Sequence, residues 1–360
     1  MFDAYREIRC CLFQETIAIG PPPTPRSKLS IYVASAKEAQ RNFEKNTASR
    51  WHKKDALPTQ PDGRLAFQRL RRPLFTPKIA PGFKLHREDK FFAIGSCFAR
   101  GIEQALVGSK MEVLSAAPEF ASLQTTSNEL HGLGFTNKYN TFSIYNELRW
   151  ALDPAAECPP ESIVDLGDGR FCDPHITPML PLANSEETWR RRSLIKMVNQ
   201  RIAQCRVVII TLGLVEAWRD TETDTFINAT PVGELFARCP DRYEFHVTDF
   251  ARNFANLEEI HALVGRFGHP EVQFIVTVSP VPLMATFSEE DVVLANTYSK
   301  SLLRAAAQQW AAGHDNVHYF PSYEIVQNSD PAGTWEEDLR HVKGKVANHI
   351  MDFFLATYLS

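Results

Sequence analysis

The chain has 360 residues, 44% of them hydrophobic and 23% charged, the balance of a soluble globular protein long enough for one large domain with additions. Lys and Arg total 39 against 43 Asp and Glu, a net charge of −4. That excludes a global electrostatic case for nucleic acid as a partner, and Arg69-Leu70-Arg71-Arg72 reads as solvated surface. No apolar run nears the roughly 20 residues that span a bilayer. Asp3, Arg6, Glu7 and Arg9 interrupt the place where a secretory segment would lie, so no membrane insertion and a cytoplasmic location are expected. The cysteines at 10, 11, 97, 158, 172, 205 and 239 are scattered without a C-x-x-C pair, which predicts reduced thiols rather than disulfides or a zinc site.

Residues 1–87 read as an irregular arm packing on or extending from a main domain at 88–360. Pro21-Pro22-Pro23-Thr24-Pro25 is a stiff break, only Lys37–Glu44 has helical character, and Trp51, Phe67, Leu70 and Phe75 are spaced anchors. From Lys90 the pattern becomes regular. Phe91–Gly95 predicts a strand, the residues to about Val107 a helix, and Met111–Ser115 a second strand. Pro118–Asn140 predicts a long polar loop, Ser143–Leu152 a helix capped by Ser143, and Cys158–Leu182, rich in proline, an excursion away from the sheet. A helix over Glu186–Ala203 leads to the strand Val207–Leu212, which ends at Gly213 as the first strand ends at Gly95. Helices over Asn253–Phe267, Asp291–Ala312 and Val342–Tyr358 alternate with strands over Val272–Val278 and Val317–Phe320. Five strands alternating with helices imply a three-layer α/β/α fold around a parallel sheet covered on both faces.

The stretch Lys90–Leu106 carries the first chemical suggestion. An apolar run breaks at Gly95-Ser96 and passes straight into a helical pattern of Phe98, Ile102, Leu106 and Val107. Ser96 therefore lies between a strand's carboxyl end and a helix's first turn, where open α/β sheets place ligands and where exposed amides favour an oxyanion. Alone, the stretch favours a plain helix cap. Cys97 is predicted to be buried beside the strand, because Phe98 and Ile102 pack toward the sheet.

The second suggestion lies far downstream, in Trp335-Glu336-Glu337-Asp338-Leu339-Arg340-His341. A histidine that deprotonates a serine needs a carboxylate on its other nitrogen, and a D-x-x-H turn supplies both from one segment. The alternative is that Asp338 caps the last helix and His341 is an exposed first-turn residue. Both segments converge on the same edge of a doubly wound sheet, which favours a triad. His131, Asp173 and His175 are possible loop contacts to substrate. Glu216 accepts either a substrate hydroxyl or a structural ion pair to Arg219 or another cation. No H-x-x-x-H or H-E-x-x-H spacing, P-loop or G-x-G-x-x-G turn is present, so neither a metal nor a cofactor is expected.

Gly95-Ser96-Cys97-Phe98-Ala99 resembles the signature of the GSCFA family, which is similar to the SGNH (GDSL-like) hydrolases, flavodoxin-like α/β/α esterases and acyl-processing enzymes. Thr136–Ile144, Ile210–Trp218, Thr277–Leu283, Ala295–Arg304 and Asp338–His341 extend the resemblance over most of the chain from about Trp51. It implies a Ser96 nucleophile, His341 as general base, Asp338 as its orienting carboxylate, and a covalent acyl-enzyme formed from an acylated carbohydrate or other small ester. It also implies an oxyanion hole built from the Ser96 amide, a loop glycine and an asparagine, around Gly95 and Gly213. Where the SGNH pattern places that asparagine this chain has Val215, which leaves Asn137 or Asn140, or the more distant Asn228, to fill the gap. A glycan- or acyl-binding protein without turnover and an O-acyltransferase using the same serine are the alternatives.

Overall fold

The computed structural model describes residues 32–54, 57, 64–123, 134–177 and 180–359. Ala34–Ser360 forms one compact unit. Its centre is a parallel sheet of five strands: β1 (Lys90–Gly95), β2 (Glu112–Val113), β3 (Val207–Leu212), β4 (Gln273–Val278) and β5 (Val317–Tyr319). The spatial order is β5-β4-β3-β1-β2, with every pairing parallel. This is the flavodoxin-like order, in which the chain reverses its direction of travel across the sheet between β1 and β3.

The uninterrupted apolar runs of the sequence are explained by burial on both faces. Side chains alternate along a strand, so Phe92, Ile94, Val208 and Ile210 enter one core while Phe91, Ala93, Val207 and Ile209 enter the other. The first core is covered by α2 (Thr141–Leu152), α4 (Phe250–Phe267) and α5 (Val292–Gly313), through Ile144, Leu148, Leu257, Ile260, Leu303 and Trp310. On the opposite face lie α1 (Cys97–Gly108) and α6 (Gly344–Tyr358), through Ile102, Leu106, Val346, Ile350 and Phe354. The helix α3 (Ser185–Gln200) belongs to a satellite cluster, its Ile195 and Val198 packed with Phe120 and Phe135. Right-handed crossovers leaving β1 in one direction and β3 in the other put their helices on opposite faces, and this opens a crevice at the carboxyl ends of β1 and β3.

Several details differ from the sequence reading. Asn140, not Ser143, caps α2, because its side-chain oxygen accepts from the Ser143 amide at 2.7 Å. The residues after β3 form a three-stranded antiparallel sheet of Glu216–Asp220, Thr225–Ile227 and Tyr243–Val247, and the proline-rich excursion carries a hairpin of Val164–Gly167 and Arg170–Cys172. In the arm, the helix Ala36–Lys45 buries no residue. The segment from Leu65 packs down through buried Phe75 and Leu85, with the Phe75 amide bonded to Ser329 Oγ at 2.9 Å and the Leu85 amide to the Tyr358 carbonyl at 2.8 Å. Trp51 is 69% exposed, and it holds the segment only through its carbonyl, which accepts from the Phe67 amide at 3.1 Å.

Candidate active site

Gly95 fixes the turn at the end of β1. Its φ of +131° lies where L side chains rarely go, and a Cβ there would sit 2.2 Å from the Thr211 carbonyl oxygen of β3. Glycine is thus required both for the backbone angle and for the close approach. The chain then passes through Ser96, extended at φ −64° and ψ 175°, into α1. Ser96 occupies the cap position, yet its hydroxyl makes no capping bond. It is 97% buried and lies 3.1 Å from Thr211 Oγ1. Capping therefore does not account for this hydroxyl.

The Asp338–His341 turn forms the predicted pair. Asp338 Oδ1 accepts from the Arg340 and His341 amides at 3.0 and 2.9 Å, and Asp338 Oδ2 lies 2.5 Å from His341 Nδ1. Those bonds hold the Asp338 carboxyl well below its ordinary range, the His341 amide contributing most. The last helix begins only at Gly344, so Asp338 is not its cap. His341 Nε2 lies 3.1 Å from Arg340 Nη1. Guanidinium only donates, so Nε2 carries the lone pair and Nδ1 the proton that Asp338 accepts. This is the tautomer that a general base requires. Leu339 lies inside the turn at φ 52°, a strained angle for a branched apolar residue.

The two halves are not joined by a hydrogen bond. Ser96 Oγ is engaged by Thr211, and His341 Nε2 by Arg340. Cys97 is half-buried rather than buried, and it lies within electrostatic range of Lys300. The other expected residues divide clearly. The Ser96 amide is committed to the Thr211 carbonyl at 3.1 Å. Asn140 is spent on its cap and on the Ile227 carbonyl, 3.1 Å away, which corrects the expectation of an oxyanion donor there. Asn228 ties down the same loop, accepting from the Tyr139 amide and donating to the Asn137 carbonyl, each at 2.8 Å. Asn137 is buried, and its side-chain oxygen, an acceptor, has no partner. Val215, in place of the missing asparagine, is fully buried.

Gly213 is packed as tightly as Gly95, for a Cβ would meet the Tyr139 carbonyl oxygen at 2.4 Å. The Lys138 amide donates to the Gly95 carbonyl at 2.7 Å and the Leu214 amide to the Tyr139 carbonyl at 2.9 Å, so residues 138 and 139 bridge the ends of β1 and β3. Glu216 makes neither the expected ion pair to Arg219 nor an open contact. Its carboxylate accepts from Thr286 Oγ1 at 2.6 Å and the Phe287 amide at 3.4 Å, while Arg219 pairs with Asp224 and Glu244. Glu216 therefore holds the loop after β4.

Asp173 and His175 belong to a buried network instead of a substrate surface. Lys138 Nζ donates to Glu147 at 2.7 Å and to the His175 carbonyl at 2.5 Å, and Arg192 joins Glu147 to Asp173, both contacts at 2.5 Å. Burial pushes Glu147 up, but the Arg192 and Lys138 cations outweigh it and bring the carboxyl to about 2. Burial lowers His175 to about 4 and keeps it neutral. A small cavity behind β1 touches this network at Lys138 and Asn199. Neither Ser96 nor His341 lines it, so it is not the candidate substrate site. His131 lies outside the described residues.

The sequence reading missed Lys300. Its side chain is 99% buried, and its Nζ donates to the Gly213 carbonyl at 2.6 Å. The neighbouring Ser299 Oγ accepts from the Val215 amide at 3.1 Å, so α5 holds the turn that follows β3.

The model of the GSCFA family matches residues 90–354. The chain belongs to the GSCFA family. The matched span runs from the first residue of β1 into α6 and includes Ser96, Asn137, Gly213, Lys300, Asp338 and His341. No curated protein matches the chain. These site residues thus all fall within the GSCFA match, whereas the packed segment from Leu65 to Asp89 precedes it. Among the described residues no group of three or more His, Cys, Asp or Glu side chains is arranged to hold a metal, and no helix is long and apolar enough to cross a membrane.

Proposed function

We propose that this GSCFA protein is a serine hydrolase of SGNH-like architecture, cleaving an acyl ester of a carbohydrate or other small alcohol. The observation that carries the reading is the oriented imidazole: Asp338 holds Nδ1–H while Nε2 keeps its lone pair. The imidazole lies in the segment after β5, while Ser96, with its hydroxyl free of any capping role, ends β1.

On this reading Ser96 Oγ attacks the ester carbonyl carbon as His341 Nε2 takes its proton, and the carbonyl π electrons move to oxygen. Collapse of that oxyanion expels the alcohol, which leaves with the proton from His341. Water, deprotonated in turn by His341, then releases the acid and restores Ser96. Asp338 stabilises the imidazolium at each stage. The Asn137 side-chain amide is the proposed donor for the oxyanion, and loss of such a donor costs about 10²–10³ in rate. The Ser96 and His341 side chains must exchange their Thr211 and Arg340 partners for each other, a rearrangement common between resting and substrate-bound sites. A hydroxyl acceptor in place of water would make the protein an O-acyltransferase through the same intermediate.

The second reading, a glycan- or acyl-binding protein without turnover, is favoured by one observation, the Ser96–Thr211 hydroxyl pair. Hydrolysis of p-nitrophenyl acetate separates the two. The hydrolase reading expects turnover by wild type, with kcat/KM lowered at least about 10³-fold in Ser96→Ala and His341→Ala. Turnover equal in wild type and Ser96→Ala would leave the binder.

A further inference from the structure

We propose that the crevice at the ends of β1 and β3 selects an ester carrying an anionic oxygen group, a carboxylate or a phosphate, recognised by Arg340 and Lys300. The inference rests on the hydrolase reading for its ester and on independent features for its anion.

Among the described residues most buried and half-buried arginines hold a carboxylate, Arg69, which lies over the Phe75 ring with its Nε unpartnered, being an exception. Arg100 pairs with Glu103, Arg192 with Glu147 and Asp173, Arg242 with Asp220, and Arg304 with Glu324. Arg340 does not. It is half-buried, its Nε is out of solvent without a partner, and its one hydrogen bond runs from Nη1 to the uncharged lone pair of His341. The carboxylate of its own turn, Asp338, is filled by two amides and the imidazole.

Lys300 repeats the pattern from the other wall. A lysine ammonium has three donors, and among the described residues this one meets a single carbonyl acceptor and no carboxylate. Burial pulls its amine down to about 7. Cys97 opposes that shift, and the positive charge of Arg340 adds to it. The same interactions show that Cys97, Lys300 and Arg340 share one neighbourhood, beside Ser96. Two cations within electrostatic range of each other, with no carboxylate partner among the described residues, are electrostatically unsatisfied, and a carboxylate or phosphate supplies both the charge and the acceptor oxygens.

The arrangement also couples recognition to activation. Arg340 occupies the nitrogen that must accept the Ser96 proton. An anionic group that draws the guanidinium onto itself vacates Nε2, so a bound substrate of this class arms the base.

The test compares p-nitrophenyl acetate with the mono-p-nitrophenyl ester of succinic acid at fixed ionic strength. Wild type should favour the anionic ester by about 10–100-fold in kcat/KM, the range of a charge-assisted hydrogen bond. Arg340→Gln should bring the ratio close to one whatever its basal rate, whereas Lys345→Gln, an equal change of net charge on the exposed face of α6, should keep it. A readout that needs no turnover accompanies this. Succinate or inorganic phosphate should raise the melting midpoint of wild type but not of Arg340→Gln, with a smaller rise in Lys300→Met. The more effective anion distinguishes a carboxylate from a phosphate. An Arg340-dependent effect in either measurement supports the proposal, and its absence from both overturns it. If neither ester is turned over but the midpoint shift depends on Arg340, the hydrolase reading fails and the anion site stands.

Discussion

Lys138 and Lys300 are both 99% buried, and the contrast between them separates structure from candidate function. Lys138 meets Glu147 directly and, through it, Arg192 and Asp173, so that two cations face two carboxylates. Lys300 meets one backbone carbonyl and lies near a second cation. A buried charge survives in a fold when it is paired and hydrogen-bonded. The Lys138 network satisfies that condition within the protein, whereas Lys300 meets no carboxylate among the described residues. The difference also assigns tasks. The first network fixes the loop that joins Gly95 to Gly213, and the second group faces the crevice that this loop frames.

The comparison breaks most visibly at Glu147. Glu147→Ala removes the carboxylate shared by Lys138 and Arg192, leaving two buried cations with Asp173 alone, and should destabilise the protein by about 3–5 kcal/mol. The urea midpoint measures this, with an unchanged m-value showing that the unfolding unit is the same. A loss below about 1 kcal/mol would mean that the four charges do not act as one network.

A smaller effect is expected at Lys300, with a sign that depends on pH. Its folded pKa of about 7 lies below the roughly 10.4 of an unfolded lysine. The cost of burying the charge is therefore fully present below pH 7 and fades as pH rises from 7 toward 10, where the unfolded chain binds more protons than the folded one. Lys300→Met should be as stable as wild type or more so at pH 7. Wild type should gain on it between pH 7 and 9 in paired thermal melts. A variant strongly destabilised at pH 7 would place Lys300 with Lys138 as a structural cation.

The strands were legible because strands buried on both faces leave uninterrupted runs such as Val207–Leu212, and the parallel sheet followed from their alternation with helices. The small antiparallel sheet was not. Glu216-Ala217-Trp218-Arg219-Asp220 is short and polar, and it becomes a strand by pairing with Tyr243–Val247, a partner distant along the chain. Ser143 was read as the cap of α2, and the place went to Asn140, whose side-chain amide also donates to the Ile227 carbonyl. The D-x-x-H pair was visible because its geometry closes within one turn. The Lys138 network was hidden because its four members come from four separate segments with no spacing to mark them. Lys300 could have been found, since it shares a helical face with Leu303 and Ala307, both buried, and a lysine on such a stripe asks for an explanation.

The central claim is that Ser96 becomes a nucleophile when His341 accepts its proton. Incubation with a fluorophosphonate probe, followed by peptide mass analysis, tests it most directly. The account predicts one adduct, on Ser96, absent from Ser96→Ala and slowed at least about 10³-fold in His341→Ala. A folded wild type that never acquires the adduct, or acquires it at the same rate without His341, would contradict it.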